Sequence, residues 1–129
     1  MGCAKDGSYN RNSPLLNTQW TISYIQNTKT GAILDYPADA MKKISVVFTD
    51  SLDIIEFSGI CNGGQGKYSF SVLGNKLHVT DLMTTEVYCK YIEWEIYVAL
   101  NLGNAYKYRI TGNSLEIFSN GDYNLVFYR

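Results

Sequence analysis

The sequence has few of the groups that usually carry enzymatic chemistry. Its 129 residues include a single histidine, His78, and only 18% of them are charged. A serine, threonine or cysteine nucleophile needs a base beside it. His78 alternates with apolar neighbours in a strand pattern, which predicts a position on the outer face. The sequence therefore predicts no catalytic residue, and we expect a protein that is not an enzyme.

Excess charge of one sign and long apolar runs are also lacking. Eleven basic residues and twelve acidic ones give a net charge of −1, so there is no basic stripe of the kind that nucleic-acid binding uses. No apolar run approaches the roughly 18 residues of a membrane span. The glycines at residues 63–66 lack the Lys-Ser/Thr ending of a phosphate loop. We expect no nucleic-acid partner and no cofactor.

Cysteine is scarce, and the N-terminal one stands apart from the others. Cys3 follows Gly2 at the head of a polar stretch, an arrangement that remains when a bacterial lipoprotein signal is removed and a start methionine is supplied. We expect Cys3 to be the lipid attachment site on the periplasmic side of a bacterial cell envelope. Residues 1–14 are then a flexible polar leader, and the signal peptide is absent from this chain. The alternative is an incidental cysteine in a frayed terminus.

What the sequence does contain is a series of short strand patterns joined by turn signals such as Asn120-Gly121. Eight segments alternate apolar and polar residues or are rich in β-forming residues: 15–25, 43–48, 52–57, 67–72, 76–80, 106–110, 115–118 and 123–128. This spacing predicts an α+β, mainly β domain over residues 15–129. We expect an antiparallel, strongly curved sheet or open barrel of about eight strands packed on one helix.

The helix is predicted over about residues 85–102. Thr84 or Thr85 could cap its start, and Gly103 could end it. Its apolar face carries one charged residue, Glu95, and a bare buried carboxylate is costly. We therefore expect Glu95 to accept hydrogen bonds from backbone N–H groups of the glycine-rich loop, or from Trp20 or a tyrosine.

Two sequence blocks resemble a known family. FSGICN at residues 57–62, followed by GKY at 66–68, is similar to the G-x-x-G-C-N … G-x-Y signature of the META domain, also called HslJ-like. TTEVYC at residues 84–89, followed by Glu93 and Glu95, resembles the family's second block. Ile60 and Val87 depart from the pattern, which usually has glycine and methionine there. The resemblance covers about residues 15–128.

The resemblance implies a compact sheet wrapped round one helix, in proteins that are frequently bacterial envelope lipoproteins and have no established enzymatic reaction. Its motif residues are interpreted as structural: Trp20, Gly59, Asn62, Gly66, Tyr68, Thr85 and Glu95. For Asn62, whose loop requires unusual backbone angles, we expect the side chain to hold the turn by bonding its own main chain.

Cys61 and Cys89 have three possible states: a disulfide, two reduced structural thiols, or a metal pair. A metal would need two more ligands, and His78 is predicted to face away, so no metal site is expected. The disulfide is favoured; it would stabilise the fold by about 3–4 kcal/mol on the loop-entropy argument. It requires an oxidising compartment, in agreement with an envelope location.

The function expected from these observations is binding of a protein or peptide partner through an edge strand or apolar patch, or support of envelope stress tolerance. The alternative is a lipocalin-like carrier that holds a small apolar or amphiphilic ligand between sheet and helix. A cavity of a few hundred cubic ångströms at that place would favour the carrier. We expect a monomer whose only membrane association is the lipid on Cys3.

Overall fold

A computed structural model describes residues 13–129. The leader and its predicted lipid site, Cys3, lie outside the described residues. The described chain forms nine strands and one helix: β1 (Gln19–Asn27), β2 (Ile33–Asp35), β3 (Ser45–Phe48), β4 (Ile54–Ser58), β5 (Gly63–Ser71), β6 (Lys76–Thr84), α1 (Ile92–Gly103), β7 (Ala105–Thr111), β8 (Ser114–Ser119) and β9 (Tyr123–Tyr128). A short 3₁₀ turn, Leu73–Asn75, joins β5 to β6. No helix in this part of the chain is long and apolar enough to cross a membrane.

The strands form one antiparallel sheet in the order β9-β8-β7-β6-β5-β4-β3-β1-β2, and pairing of β9 with β1 closes it. The predicted mainly β fold with one helix is confirmed, as a closed barrel of eight strands rather than an open one. The ninth strand, β2, was not predicted. It pairs with β1 beyond the point where β3 ends, on the same edge.

The barrel interior is filled with side chains. Trp20, Phe48 and Phe127 are fully buried there, and every one of the eight barrel strands contributes apolar side chains to this core. Each strand places alternate side chains inward, and burying one large apolar side chain contributes about 1.5–3 kcal/mol. The space that holds the ligand in a lipocalin barrel is occupied here by these core side chains.

The helix begins later than predicted, at Ile92 rather than Thr85. Thr85 instead continues the strand pairing, because its N–H donates to the Gly63 carbonyl at 3.1 Å. Tyr91 then adopts a left-handed backbone, with φ 67°. The predicted helix start was wrong because the capping threonines are also good strand residues and find strand partners here.

The helix is fixed to the barrel by one face and by a polar contact near its end. Trp94, Val98 and Leu102 are buried against the barrel. The Asn101 carboxamide oxygen accepts hydrogen bonds from the Ser119 hydroxyl at 2.9 Å and from the Tyr123 N–H at 3.1 Å. The helix therefore lies against the barrel in the gap between β6 and β7, where these two strands pair only briefly.

That gap leaves one strand edge without a partner. β6 pairs with β5 from Lys76 to Thr84, but with β7 only at Lys76, opposite Lys107. In the described chain, the barrel seam between β6 and β7 is therefore short. Beyond it, α1 lies beside the second half of β6.

The glycine run begins β5 rather than forming a loop. A Cβ atom on Gly64 would lie 1.9 Å from the Met83 carbonyl oxygen, and one on Gly66 would lie 2.8 Å from the Leu82 Cα atom. Of the two explanations that glycine allows, positive φ angles or close backbone contact, close contact applies here. These glycines let β5 and β6 approach each other at the bulge between Gln65 and Lys67.

Replacing Gly64 by alanine should destabilise the protein, because the new methyl group would overlap backbone atoms that cannot move independently. Overpacking of this kind costs about 1–3 kcal/mol. Urea unfolding of Gly64→Ala measures the loss. The matched control is Gly63→Ala, whose Cβ would meet only the Phe57 carbonyl oxygen at an ordinary 3.5 Å. Equal losses in the two variants would contradict the close-contact explanation.

Candidate functional site

Glu95 lies on the buried side of α1 and binds the loop between β4 and β5. Its Oε2 atom accepts hydrogen bonds from the N–H groups of Cys61 at 2.8 Å and Asn62 at 3.2 Å. Its Oε1 atom accepts one from the Asn62 side-chain amide at 2.7 Å. Three donors therefore satisfy a carboxylate that is 5% exposed. Bonds of this kind, to a charged acceptor, are among the stronger ones in proteins.

Asn62 connects this carboxylate to the segment before the helix. Its side-chain oxygen accepts hydrogen bonds from the Val87 N–H at 2.7 Å and the Thr85 hydroxyl at 2.8 Å. Its amide also donates to the Val87 carbonyl at 2.9 Å. The side chain thus acts as an extra peptide group for the extended segment 85–87. From the sequence we expect the Asn62 side chain to bond its own main chain. It bonds the segment 85–87 instead.

Gly59 packs against the Glu95 carboxylate, and Tyr36 lies near enough to be influenced by its charge. A Cβ atom on Gly59 would lie 2.6 Å from the Glu95 carboxyl carbon, so only glycine leaves room for the carboxylate. Tyr36 packs edge-on against Trp94, with ring centroids 5.0 Å apart. Burial raises the pKa of Tyr36 to about 12; the nearby charge of Glu95 also raises it, and a backbone hydrogen bond at Ile44 lowers it.

Cys61 and Cys89 form a disulfide, with Cα atoms 6.4 Å apart, so the predicted bridge is confirmed. It ties the Glu95-bound loop to the chain just before α1. The two sulfur atoms and a Glu95 oxygen lie within 4.8 Å of one another. In the bonded form the cysteines offer no thiolates, and the Glu95 oxygens already accept hydrogen bonds.

A groove of about 950 Å³ lies beside this cluster, between α1 and the second half of β6. One wall is β6 with the segment 84–88, and the other is a helix stripe of Ile92, Ile96, Ala99, Leu100 and Gly103. Large apolar side chains are exposed there: Ile96 (56%), Leu100 (57%), Val87 (58%) and Tyr88 (84%). Exposed apolar side chains in one continuous concave surface usually mark a binding site.

Within residues 13–129, the charged residues that line the groove are all acidic: Asp81, Glu86 and Glu95. Glu95 lies at its inner end, where the hydrogen bonds described above satisfy it. Asp81 and Glu86 are exposed, and neither takes part in the ion pairs found within residues 13–129. The groove is therefore apolar along its walls and negative at its rim.

The structure brings some of the predicted residues together and separates others. Gly59, Cys61, Asn62, Thr85, Cys89 and Glu95 form one cluster at the inner end of the groove. Trp20 and Tyr68 lie in the barrel wall instead. Trp20 donates to the Leu15 carbonyl at 3.2 Å, and Tyr68 donates to the Thr49 carbonyl. Gly66 lies on β5 beside β6.

The groove itself was not predicted. The apolar stripe at Ile92, Ile96 and Leu100 has the four-residue spacing that could have indicated it. Apolar residues occur on both sides of this helix, so the sequence alone does not indicate which of them face the barrel. The structure buries Trp94 and Val98 and leaves Ile96 and Leu100 exposed.

Comparisons with known proteins agree with this architecture. The family model of the META domain matches residues 13–129. A protein from Burkholderia xenovorans, solved by NMR, aligns with TM-score 0.74 and 18% identity over 100% of this chain and 98% of its own. A DUF4847 family protein from Bacteroides vulgatus, solved by crystallography, aligns with TM-score 0.68 and 12% identity over 89% of this chain and 94% of its own. No curated protein matches the sequence. At these identities the structural neighbours establish the fold alone.

Glu95→Gln should be tolerated better than Glu95→Leu. Glutamine keeps one oxygen for the two backbone donors but meets the Asn62 amide with its own amide, whereas leucine leaves all three donors unpaired. Each unpaired buried group costs about 1–3 kcal/mol, so urea unfolding should show a clearly larger loss for leucine. Glu93→Gln, an exposed substitution two residues earlier, serves as the control. Equal losses for glutamine and leucine would contradict the anchoring role.

The bridge should be detectable in solution. Mass spectrometry of the unreduced, denatured and alkylated protein should find no label on Cys61 or Cys89. The double variant Cys61→Ala/Cys89→Ala should lose about 3–4 kcal/mol of stability, because the unfolded chain regains the freedom that the bridge removes. Cys3→Ser is the control and should leave stability unchanged. Two alkylated thiols at residues 61 and 89 would contradict the bridge.

Proposed function

This chain belongs to the META domain family, and from that premise we propose that it is a non-enzymatic protein of the bacterial cell envelope that binds a protein or peptide partner through the groove between α1 and β6. The observation that carries the proposal is the apolar lining of that groove. Ile96, Leu100, Val87 and Tyr88 expose more than half of their surface. Water contact of this apolar surface is unfavourable, and a partner would remove it.

The cluster around Glu95 supports a binding role rather than catalysis. A general acid or base must reach a substrate proton, but the Glu95 oxygens already accept three hydrogen bonds from Cys61 and Asn62. The only histidine, His78, lies on β6 and does not line the groove. The cluster holds the inner end of the groove in shape.

The envelope location is supported by the disulfide between Cys61 and Cys89, because such bonds persist in oxidising compartments. A lipid on Cys3 would hold the domain at the membrane, in agreement with the Gly-Cys pair at the start of the sequence. Support of envelope stress tolerance would then operate through the bound partner. The domain would act as a monomer, with its groove left free for that partner.

A second function, carriage of a small apolar or amphiphilic ligand, is favoured by the size of the groove. Its volume of about 950 Å³ lies within the range of small-molecule sites. Two observations favour the partner instead. The barrel interior is filled, and the groove walls remain exposed along the helix, whereas carriers enclose most of their ligand.

Removing the apolar groups of the helix stripe should abolish binding without unfolding the protein. Ile96→Gln and Leu100→Gln keep helix propensity and change exposed side chains. Leu73→Gln, at a residue that is 72% exposed on the 3₁₀ turn away from the groove, is the matched control. Proteins captured from bacterial envelope extracts by the wild type should also be captured by the control and be lost from the two groove variants.

An uncharged fluorescent probe, N-phenyl-1-naphthylamine, distinguishes the two functions. Saturable fluorescence enhancement that the groove variants lose and the control keeps, with no groove-dependent protein partner, would favour the carrier. Capture of the same proteins by the wild type, the control and both groove variants would contradict partner binding through the groove. Thermal unfolding by circular dichroism checks that all four proteins are folded.

A further inference from the structure

The groove has a hydrogen-bonding wall as well as an apolar one. The Tyr68 N–H donates to the Asp53 carbonyl at 3.1 Å, on the side of β5 that faces away from β6. Val79 is the register partner of Tyr68. In an antiparallel pair, two opposite residues direct their main-chain groups either toward each other or both away. The main-chain groups of Val79 therefore point to the free edge of β6.

The end of β6 follows the same pattern. The Thr85 N–H donates to the Gly63 carbonyl on β5 at 3.1 Å, so the main-chain groups of the preceding residue, Thr84, point to the opposite edge. Val79 and Thr84 both line the groove. Within residues 13–129, the pairing of β6 with β7 is limited to Lys76 and Lys107. The edge from Val79 to Thr84 thus has no strand partner there.

The two walls of the groove also match in length. Six residues of strand, Val79 to Thr84, extend at most about 20 Å at roughly 3.3 Å per residue. The twelve residues of α1 extend about 18 Å at roughly 1.5 Å per residue. The bulge and the left-handed backbone of Asp81, with φ 55°, interrupt this edge. A segment of about six extended residues would therefore pair on either side of Asp81, at Val79 and at Thr84, while its side chains contact the helix stripe.

The charges indicate which segment would fit. Asp81 and Glu86 provide negative charge at the rim, and none of the described lysines or arginines lines the groove. An extended segment that alternates apolar with basic residues would place one set of side chains on Ile96 and Leu100. The other set would lie near the two acids. Such a strand would place apolar side chains against the apolar wall, basic side chains near the acidic rim and its main chain against the free edge of β6.

We propose that the groove binds an extended, alternately apolar and basic peptide segment of a partner protein, which adds to the free edge of β6 as a further strand beside α1. This inference rests on the proposed function and specifies the partner. A second copy of the chain fits poorly, because pairing two β6 edges would bring Asp81 of each copy into the same acidic groove. Like charges in close contact are unfavourable.

The test uses the full chain and a capped, fluorescein-labelled heptapeptide that alternates lysine and valine. Two further peptides carry N-methyl groups on either the valine or the lysine amides. In a paired strand only one of these two sets of amides faces β6. The peptide methylated on that set should lose about two hydrogen bonds and bind at least about tenfold more weakly. The other methylated peptide should bind like the parent. Fluorescence anisotropy measures the affinities, and the amide NMR signals of Val79 and Thr84 should shift.

Protein variants test the two other contacts. Leu100→Gln should weaken binding of the parent peptide, whereas Leu73→Gln should not. Asp81→Asn should weaken it by about twofold to fivefold, as expected for one exposed charge pair. Asparagine is a mild change there because it tolerates the left-handed backbone of Asp81, with φ 55°. A peptide with glutamate in place of lysine should bind more weakly than the parent.

Several results would overturn this inference while leaving the proposed function intact. If both methylated peptides bind like the parent and Leu100→Gln still weakens binding, the groove holds the peptide but not as a strand. If no peptide binds, yet envelope proteins are still captured in a Leu100-dependent way, the partner has another conformation. Dimerisation of the chain that Leu100→Gln abolishes would identify a second copy as the occupant. Equal binding of the glutamate peptide would overturn the charge preference.

Discussion

The arrangement of this molecule depends on the hydrogen bonds between the Glu95 carboxylate and the loop at Cys61 and Asn62. A buried carboxylate is tolerated only when its acceptors are satisfied, and the three donors of this loop satisfy them. The same loop binds the segment 85–87 through the Asn62 side chain and the start of the helix through the disulfide. One polar cluster therefore fixes the helix, the preceding segment and the barrel to one another.

The groove exists because the polar cluster around Glu95 holds the helix and the segment before it in these positions. The segment that follows β6 is held extended by hydrogen bonds between the Asn62 side chain and both Thr85 and Val87, so the helix cannot begin at Thr85. It begins at Ile92, after the left-handed Tyr91. The helix then lies in the gap beside β6, where a longer β7 would otherwise pair, and covers the barrel with one face only. Its second apolar stripe and the edge of β6 are both left facing the gap. An apolar wall and an unpaired strand edge thus arise together from a single constraint.

Family and function rest on different features of the chain. Membership in the META domain family extends over residues 13–129, and two proteins of known structure share the fold at 18% and 12% identity. Such neighbours carry no statement about ligands, because a fold is compatible with many functions. The functional proposal is therefore argued from the groove, whose exposed side chains and acidic rim are properties of this chain.

Much of the architecture could be predicted from the sequence because its signals are local. Strand alternation and turns such as Asn120-Gly121 act over a few residues. The bridge between Cys61 and Cys89 is favoured from the sequence over free thiols and a metal pair, and it is confirmed. The start of the helix could not be predicted, because a threonine such as Thr85 suits both the first position of a helix and a strand. The sequence by itself determined the mainly β fold, the single helix and the need to satisfy Glu95. Only the tertiary structure decided which donors satisfy Glu95 and where the groove lies, because both depend on contacts between segments distant in the chain.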